Sequence, residues 1–466
     1  MYKNLKIKGL RGFGTEQTLN LAVPVDNKEG SGLTIIVGAN NSGKSTIWEA
    51  FRALNGQQEV SFTEGKRNRR ANYHIEISAL DTNGEISTLK TLDSGGSEAT
   101  RTGKIVKCFT LPSRRTFSPA FGKHGPINTD GYIHSYMPLS SQRGSGNNSF
   151  SIRLFQSNRD QTKKELFNTE VSKVLGFKPK WTIEQADSGD YYLKLHFGDS
   201  YHNSDGAGEG FLSVFTIVDS LYDSKPGDII VIDEPELSLH PALQRKLSDL
   251  LMEYSKDRQI VIFTHSPFFI NWTALANGAE LSRTHKDTTS GDTLICRLSE
   301  ESKTNIANQL ADRFNLHTLG LEAKEAFFLE DNIILTEGQD DVFYYSKYFK
   351  TEHPEMKGSF FGWGTGGAGK MKFFAQILKD LGFKKVFGIL DSDRTEECRS
   401  LQSVFSGYEF VTIPAKDVRD KEAVTAKDAV SGLFIAPGEI KNEYRDNMES
   451  IANNINNYFT STTSGE

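Results

Sequence analysis

Short apolar runs separated by polar turns dominate this chain, and they predict an α/β fold. Nearly continuous apolar runs lie at 33–37, 229–232 and 260–263, as in strands buried on both faces. The segment 5–8 instead alternates apolar and lysine side chains, which is typical of a strand with one buried face. Residues 72–110 predict further short strands. We therefore expect the beginning of the chain to be rich in β structure.

Apolar positions at helical spacing predict helices over 47–54, 211–221 and 371–381. With 466 residues, of which 37% are hydrophobic and 24% charged, the chain can form two or more ordinary cores. We expect three parts, the first with a short insertion near 150–200: residues 1–300, a helical linker over 301–330, and residues 331–466.

Composition excludes several classes of protein. Because the chain has no run of about 18 apolar residues and no signal-peptide pattern, the sequence predicts a cytoplasmic protein that does not enter a membrane. Three widely spaced cysteines form neither a disulfide framework nor a zinc motif. The net charge of −6 argues against a uniformly basic surface, but metal ions or a local basic groove can still carry nucleic-acid phosphates.

The segment Gly38–Thr46 carries the first chemical signal. It fits the phosphate-binding pattern G-x-x-x-x-G-K-[ST] and lies between a predicted strand and a predicted helix. Backbone N–H groups at such a helix N-terminus can hold phosphate oxygens, and Ser45 can bind Mg²⁺. We therefore expect ATP and Mg²⁺ as cofactors. The candidate nucleotide-binding residues of this loop are Asn40, Asn41, Ser42, Gly43, Lys44, Ser45 and Thr46.

Two later strand ends supply candidates for ATP hydrolysis. The run 229–232 leads into Asp233 and Glu234, where Asp233 can hold Mg²⁺ through water and Glu234 can polarise the attacking water. The run 260–263 leads to His265, a donor suited to sensing the γ-phosphate.

The glycine-rich segment Ser204–Gly210 opens the predicted helix at 211–221 and can cap a phosphate. Its candidate residues are Ser204, Gly206 and Gly208. The phosphate loop, this glycine-rich segment, Asp233 with Glu234, and His265 come in the order found in the ABC ATPase superfamily, and together they resemble it. This resemblance implies that ATP is bound between two subunits of a homodimer or larger homo-oligomer. A plain flexible loop is the alternative, and His240 is expected to cap a helix or to lie in a core rather than at the subunit contact.

Acidic residues at the ends of two further apolar runs form a second candidate site. Glu337 follows 333–335, and Asp391 and Asp393 follow 386–390. Two Mg²⁺ ions about 4 Å apart need several converging carboxylates. Asp391 and Asp393 are expected to project the same way from an extended tip. Together with the glycine-rich segment 364–369, these pieces resemble a Toprim domain over roughly 331–420. A solvated acidic loop is the alternative.

Several segments remain open between two interpretations. The segment 364–370 also fits the phosphate-loop pattern, but Met371 replaces the magnesium-binding hydroxyl, so it predicts a tight turn before a helix, with or without contact to DNA phosphate through Lys370. The segment 416–422, with Lys416, Lys421 and Glu422, predicts a charged surface loop or further nuclease residues. The basic cluster 66–70 predicts a solvated turn or a DNA contact.

An ABC-type ATPase domain followed by a Toprim domain is similar to the OLD (overcoming lysogenisation defect) family of nucleases. That resemblance carries over Lys44, Ser45, Asp233, Glu234 and His265 as ATPase residues, and Glu337, Asp341, Asp391 and Asp393 as metal ligands of the nuclease. It implies an endonuclease dependent on Mg²⁺ or Mn²⁺ that cuts double-stranded DNA in bacterial defence against phage. It also implies a partner, either a helicase or a retron reverse transcriptase with its DNA.

Two other hypotheses compete with this one. The chain could be an ATPase of DNA repair or recombination with a degenerate Toprim module. It could also be a regulatory scaffold whose ATP-bound oligomer mainly holds a partner.

Overall fold

The computed structural model divides the chain into two compact units, Met1–Ile295 and Cys296–Glu466. The residues that the structure describes are 1–55, 60–92, 97–113, 154, 160–185, 191–198, 200–203, 208–311, 319–328, 331–423 and 428–461.

The first unit contains fourteen described strands and five described helices, with the last strand ending just beyond its boundary. The strands are β1 (Tyr2–Lys8), β2 (Gln17–Asn20), β3 (Leu33–Val37), β4 (Glu76–Asp81), β5 (Ile86–Thr91), β6 (Ala99–Thr102), β7 (Phe109–Leu111), β8 (Lys180–Gln185), β9 (Tyr191–Phe197), β10 (Ser200–Asn203), β11 (Ile229–Asp233), β12 (Gln259–Phe263), β13 (Glu280–Lys286) and β14 (Thr293–Arg297). The helices are α1 (Lys44–Asn55), α2 (Gln161–Leu175), α3 (Glu209–Asp223), α4 (Pro241–Tyr254) and α5 (Trp272–Ala276).

A six-stranded sheet of order β14-β13-β3-β12-β11-β7 forms the centre of this unit. The strands from β13 to β7 pair in parallel. Every residue of β3, β11 and β12 is buried, as expected for parallel strands covered on both faces. The parallel register brings the carboxyl ends of β3, β11 and β12 to one edge of the sheet.

An antiparallel sheet of order β2-β1-β4-β5-β6 packs with α1 and the central sheet around one apolar core. In β1, Leu5 and Ile7 are fully buried while the intervening lysine is partly exposed, so the alternation predicted from the sequence is confirmed. A third sheet, β10-β9-β8, lies beside α2 and α3, where Phe167, Trp181 and Phe215 meet edge to face.

The second unit is built on a different sheet. Its strands are β15 (Ile333–Leu335), β16 (Ser359–Phe360), β17 (Val386–Leu390), β18 (Glu409–Thr412), β19 (Phe434–Ala436) and β20 (Glu439–Ile440). Its helices are α6 (Glu300–Ala311), α7 (Leu321–Glu325), α8 (Gln339–Glu352), α9 (Ala368–Asp380), α10 (Thr395–Val404) and α11 (Arg445–Thr460).

Four parallel strands of order β16-β15-β17-β18 have helices on both faces. Phe387 and Ile389 join the core formed with α8 and α11. Gly388 points the other way, because a Cβ there would lie 3.2 Å from the sulfur of Met371 in α9. A parallel sheet with helices on both of its faces confirms the α/β class predicted for the second half of the chain.

Helix boundaries and the interval 301–330 differ in detail from expectation. Helix α1 begins at Lys44 and α9 at Ala368, each three residues before the predicted start, because the glycine-rich loops lead directly into the helices. Helix α6 lies within the predicted linker, and Ser302 in it donates to Asp380 of α9 at 2.6 Å. The described part of this interval therefore packs within the second unit.

Two loops of the second unit meet through glycines. Gly364 has φ +84°, and a Cβ on it would lie 2.7 Å from backbone atoms of Gly338. The loop before α9 therefore rests directly on the loop after β15. This approach is possible only without a side chain at position 364.

We expect Gly364→Ala to destabilise the second unit by roughly 1–3 kcal/mol, since alanine must adopt a left-handed conformation and also collide with Gly338. Calorimetry should show a lower Tm, by roughly 2–4 °C per kcal/mol for a domain of this size. Gly369→Ala is the matched control, because a Cβ there meets nothing within 4 Å. Equal melting temperatures for the two variants would contradict the contact.

Candidate functional site

The phosphate loop between β3 and α1 is preorganised around Lys44. This side chain is buried, and its Nζ donates to the carbonyl oxygens of Gly38 at 2.7 Å and Ala39 at 3.0 Å. The ammonium group is thereby held within the loop, beside the N-terminus of α1. A phosphate group placed there would meet both the lysine charge and the helix N–H groups.

Glycine is required at two positions of this loop. Gly38 has φ +150°, and a Cβ there would lie 2.3 Å from the carbonyl oxygen of Thr284. Gly43 has φ +104°, and its Cβ would lie 2.7 Å from the methyl group of Thr293. The loop is thus pressed against β13 and β14, and Ser42 Oγ lies 2.7 Å from Thr284 Oγ1.

A cavity of about 320 Å³ opens over the loop. It is lined by the predicted residues Asn40, Asn41, Ser42, Gly43, Lys44, Ser45, Thr46, Glu234 and His265, and by Arg11, Gly12, Lys286 and Thr293. The sequence analysis missed the last four because they come from β13, β14 and a turn that carry no motif. Arg11 is also held by Glu49, whose Oε1 lies 2.8 Å from its Nη2.

The end of β11 presents its two acidic residues differently. Asp233 is the last residue of the strand and is buried, whereas Glu234 turns into the cavity. This turn arises because Glu234 adopts φ +48° while its N–H still donates to Phe263 O at 2.8 Å. The arrangement suits a carboxylate that acts on a water in the cavity, next to one that stays at the strand end.

His265 lies at the end of β12 and reaches the same cavity. Burial lowers its pKa, the Lys44 ammonium lowers it further, and Glu234 acts in the opposite direction. The His265 imidazole therefore carries a positive charge less often near pH 7 than an ordinary histidine does. A neutral ring can donate one hydrogen bond to a phosphate oxygen and accept another.

Glu236, which the sequence analysis did not single out, ties the two strand ends together. Its Oε1 accepts from the backbone N–H of His265 at 2.6 Å, and its Oε2 accepts from Thr264 Oγ1 at 2.9 Å. Burial raises the pKa of Glu236, while these hydrogen bonds favour the carboxylate. A second side-chain hydrogen bond follows His265 in the chain, where Ser266 Oγ donates to Gln244 Oε1 at 2.6 Å. Glu236 is thus a positioning residue for His265.

Of the glycine-rich segment, Ser204 and Gly206 lie outside the described residues. Gly208 caps α3 at its N-terminus and is not among the residues that line the phosphate-loop cavity. Helix α3 touches the segment that follows Glu234: Ser238 Oγ donates to Glu209 Oε2 at 2.9 Å, and a Cβ on Gly210 would lie 2.3 Å from Ser238 O.

His240 caps α4, with its Nδ1 accepting from the Ala242 N–H at 3.2 Å, so the predicted capping role is confirmed. In the basic cluster 66–70, Arg67 is buried and donates to Phe62 O and Tyr73 O. The Arg67 guanidinium therefore forms hydrogen bonds that stabilise the first unit itself.

The second unit brings Glu337 and Asp391 together. Glu337 follows β15 and Asp391 follows β17, and these strands are neighbours in the parallel sheet. The Asp391 N–H donates to Glu337 Oε1 at 2.9 Å. Burial raises the pKa of Glu337, and burial followed by the neighbouring Glu337 carboxylate raises the pKa of Asp391 to about 8.

Asp341 and Asp393 lie near this pair, in different surroundings. Asp341 Oδ2 accepts from the Gly338 N–H at 2.8 Å, and burial raises its pKa to about 7. The prediction that Asp391 and Asp393 project from an extended tip is wrong, because residues 392–394 form a 3₁₀ turn. The exposed Asp393 lies 3.5 Å from Arg394 Nε.

Asp417 is a further member of the cluster, since its charge contributes to the raised pKa of both Asp341 and Asp391. Of the lysines in its loop, Lys421 pairs with Asp417. The donor chemistry fits a hard divalent cation, because these groups are carboxylates whose mutual repulsion a cation would relieve. Among the described residues, however, no three His, Cys, Asp or Glu side chains converge closely enough to form a metal site.

The glycine-rich loop 364–369 also forms hydrogen bonds with Glu337. The Gly367 N–H donates to Glu337 O at 2.7 Å, and the Ala368 N–H bonds to the Glu337 carboxylate. The first turn of α9 is therefore aimed at a protein carboxylate, and the predicted tight turn before a helix is confirmed. Contact of Lys370 with DNA stays a prediction.

Comparison with known families identifies the first unit by class. The model "AAA domain, putative AbiEii toxin, Type IV TA system" matches residues 125–271, and the model "AAA domain" matches residues 4–191. With the cavity described above, these matches define an AAA/ABC-type P-loop ATPase domain, which binds a nucleotide typically together with Mg²⁺. None of the curated proteins compared with the chain matches it.

Several solved structures are similar to part of the chain at low identity. The Smc head bound to the C-winged helix domain of ScpA has 16% identity and a TM-score of 0.42, covering 65% of this chain and 99% of its own. The SMC head domain from Thermotoga maritima has 16% identity and a TM-score of 0.36, covering 64% and 99%. The Smc head domain bound to the C-terminal domain of ScpA from Pyrococcus furiosus has 13% identity and a TM-score of 0.42, covering 67% and 100%. Separately, no helix in the described parts of this chain is long and apolar enough to cross a membrane.

We expect Glu236→Ala to lower the turnover of ATP by about 10- to 100-fold while leaving ATP affinity within about threefold, because His265 loses its support but the phosphate loop is untouched. Glu236→Gln, which retains an acceptor for the backbone N–H of His265, should recover most of the rate. Steady-state hydrolysis and titration with a fluorescent ATP analogue separate the two quantities. A loss of affinity equal to the loss of turnover would contradict a positioning role.

Proposed function

We propose that the chain is an ATP-hydrolysing, metal-dependent DNA endonuclease, a nickase or a double-strand cutter, with a P-loop ATPase domain as its first unit and a Toprim-type second unit. The observation that carries the proposal is the hydrogen-bonded pair of Glu337 and Asp391 at the carboxyl ends of neighbouring parallel strands. Asp341 and Asp417 add charge to this pair. The partly buried Glu337 and Asp391 carboxylates repel each other, and a divalent cation would offset that repulsion.

Glu337, Asp391, Asp341 and Asp393 would hold Mg²⁺ or Mn²⁺. When bound, the metal would stabilise the charge that develops on a phosphodiester during cleavage. The chain itself holds Glu337 in place through the Gly367 and Ala368 N–H groups. Arg394 also lies at these carboxylates, with its Nε 3.5 Å from Asp393 Oδ1 and 4.0 Å from Glu337 Oε2, so a bound cation would compete with this arginine.

In the ATPase domain, Lys44 and the loop N–H groups would bind the β- and γ-phosphates, and Ser45 and Asp233 would hold Mg²⁺. Glu234 would polarise water and His265 would contact the γ-phosphate. Ser204, Gly206 and Gly208 would complete the ATP site of a second subunit, which makes the protein at least a homodimer. The position of Gly208, away from its own cavity, supports this arrangement.

Defence against phage is the biological role we propose. The description of one matching family model includes the words "putative AbiEii toxin, Type IV TA system", which supports a role in which the protein harms its own cell or an invader. A helicase, or a reverse transcriptase with its DNA, would be the partner that restrains or directs the nuclease.

A second candidate function is an ATPase of DNA repair, or a scaffold, whose Toprim-like unit is inactive. One observation favours it: among the described residues no three potential metal ligands converge. The two hypotheses differ in a single measurable property, the ability to cut DNA.

Nicking of supercoiled plasmid should require Mg²⁺ or Mn²⁺ and should fall at least 100-fold in Asp391→Ala, because a cation loses one of its two central ligands. ATP hydrolysis by the same preparation should not change. Asp446→Ala, which removes an exposed carboxylate from α11, is the matched control and should cut normally. An inactive parent enzyme in both metals would favour the second candidate function, and unchanged nicking by Asp391→Ala would place the nuclease elsewhere.

Glu234→Gln should bind ATP but hydrolyse it at least 100-fold more slowly, since water is no longer polarised. If ATP is shared between subunits, this variant should sediment as a dimer or larger oligomer when ATP and Mg²⁺ are present. Lys44→Ala, which cannot hold the phosphates, should not respond to ATP. A monomeric parent that hydrolyses ATP fully at micromolar concentration would exclude shared sites.

A further inference from the structure

Two exposed aromatic side chains line one cavity of the second unit. Trp363 is 56% exposed and Phe343 is 43% exposed. With Gln339 and Asp340 they line a cavity of about 280 Å³. The other tryptophans, Trp48, Trp181 and Trp272, are all buried. Two exposed aromatic side chains that share one cavity form a candidate binding surface.

This cavity adjoins the acidic pair. Gln339 and Asp340 begin α8 directly after Glu337 and Gly338, and Trp363 precedes Gly364. Because Gly364 packs on the backbone of Gly338, the loop with Trp363 is fixed to the loop with Glu337. A molecule held by the aromatic rings would therefore lie next to the loop that carries Glu337.

We propose that this cavity binds an unstacked nucleobase of a DNA strand whose phosphate reaches Glu337 and Asp391. The inference rests on the proposed nuclease function and names what its site recognises. Aromatic side chains stack with any base, because every base has a π-face, and so they bind single-stranded or opened DNA without reading sequence. Paired bases in an intact duplex cannot occupy the cavity.

Charges around the cavity are compatible with a strand. Lys347 Nζ lies 4.5 Å from the centre of the Phe343 ring, so a positive charge lies next to one of the two aromatic side chains. Asp340, the one acid in the lining, is paired with Arg419 at 2.8 Å. A phosphate passing this rim meets a lysine and a carboxylate that is paired with an arginine, so the acid of the lining is not an isolated negative charge.

The test uses the full chain and a 12-nucleotide oligothymidylate, with Ca²⁺ in place of Mg²⁺ and a gel after each titration to detect cutting. Since Trp363 is the exposed tryptophan, stacking of a base should quench the tryptophan emission of the parent protein. Anisotropy of a fluorescein-labelled oligonucleotide gives Kd. Trp363→Ala should raise Kd by about tenfold, within the range reported by stacking energies. Trp363→Phe should stay within about threefold, and affinity for a hairpin duplex should change little.

Tyr201→Ala, which removes an equally exposed aromatic side chain from the first unit, is the matched control and should bind like the parent. Equal melting temperature and ATP hydrolysis would exclude misfolding of Trp363→Ala. Unquenched emission together with unchanged affinity would overturn the inference. So would a change of sedimentation in Trp363→Ala without a change in Kd, because the face would then be a contact between copies of this chain.

The two proposals can fail separately. A parent protein that binds the oligonucleotide through Trp363 but cuts no DNA with Mg²⁺ or Mn²⁺ supports the nucleobase site and contradicts the nuclease. A Trp363→Ala variant that binds and cuts single strands like the parent contradicts the nucleobase site and leaves the nuclease in place.

Discussion

Both candidate sites depend on the parallel pairing of strands, which forces residues that are distant in the sequence to end at the same edge of a sheet. In the first unit, the ends of β3, β11 and β12 assemble Lys44, Glu234 and His265 around one cavity. In the second, the ends of β15 and β17 bring together Glu337 and Asp391. Each pair of neighbouring strands fixes the distance between its terminal residues, so rigid pairing does most of the positioning.

The groups that face a ligand differ at the two edges, and they suit ligands of opposite charge. In the ATPase domain, a buried lysine and a helix N-terminus meet, and their field favours a polyphosphate. In the second unit, the N-terminus of α9 is already satisfied by Glu337, and the surplus charge is negative. The same local structure, a glycine-rich loop leading into a helix, thus attracts an anion in one unit and secures a carboxylate in the other.

The sequence predicted the parts of the molecule that follow from short patterns. The strands around Leu33, Ile229 and Ile260 could be predicted because continuous apolar runs have few other uses, and the phosphate loop because its glycines are needed for close approach. Glu236 could not be predicted as a support for His265, because that contact joins two strand ends that only the sheet brings together.

The turn at Asp391–Asp393 was mistaken for an extended tip for a similar reason. Two acidic residues separated by one position give the same sequence pattern whether they lie in a strand or in a 3₁₀ turn. Here a contact with a distant part of the chain favours the turn, because the Ser392 N–H donates to Ala415 O at 3.0 Å. Asp417 belongs to the acidic cluster through the same folding of its loop onto β17. Distant backbone contacts of this kind leave no periodic trace in a sequence.

The contact between Gly210 and Ser238 gives the ATPase domain a mechanical connection. Helix α3 cannot tilt without displacing the backbone of Ser238, since the two approach too closely for even a methyl group. Ser238 lies in the segment between Glu236, which supports His265, and α4, whose Gln244 accepts from Ser266. A force applied at the N-terminus of α3 therefore reaches the γ-phosphate end of the cavity in the same subunit. If α3 of one subunit contacts ATP held by another, as proposed above, that contact would also act on the segment that supports His265 in its own subunit.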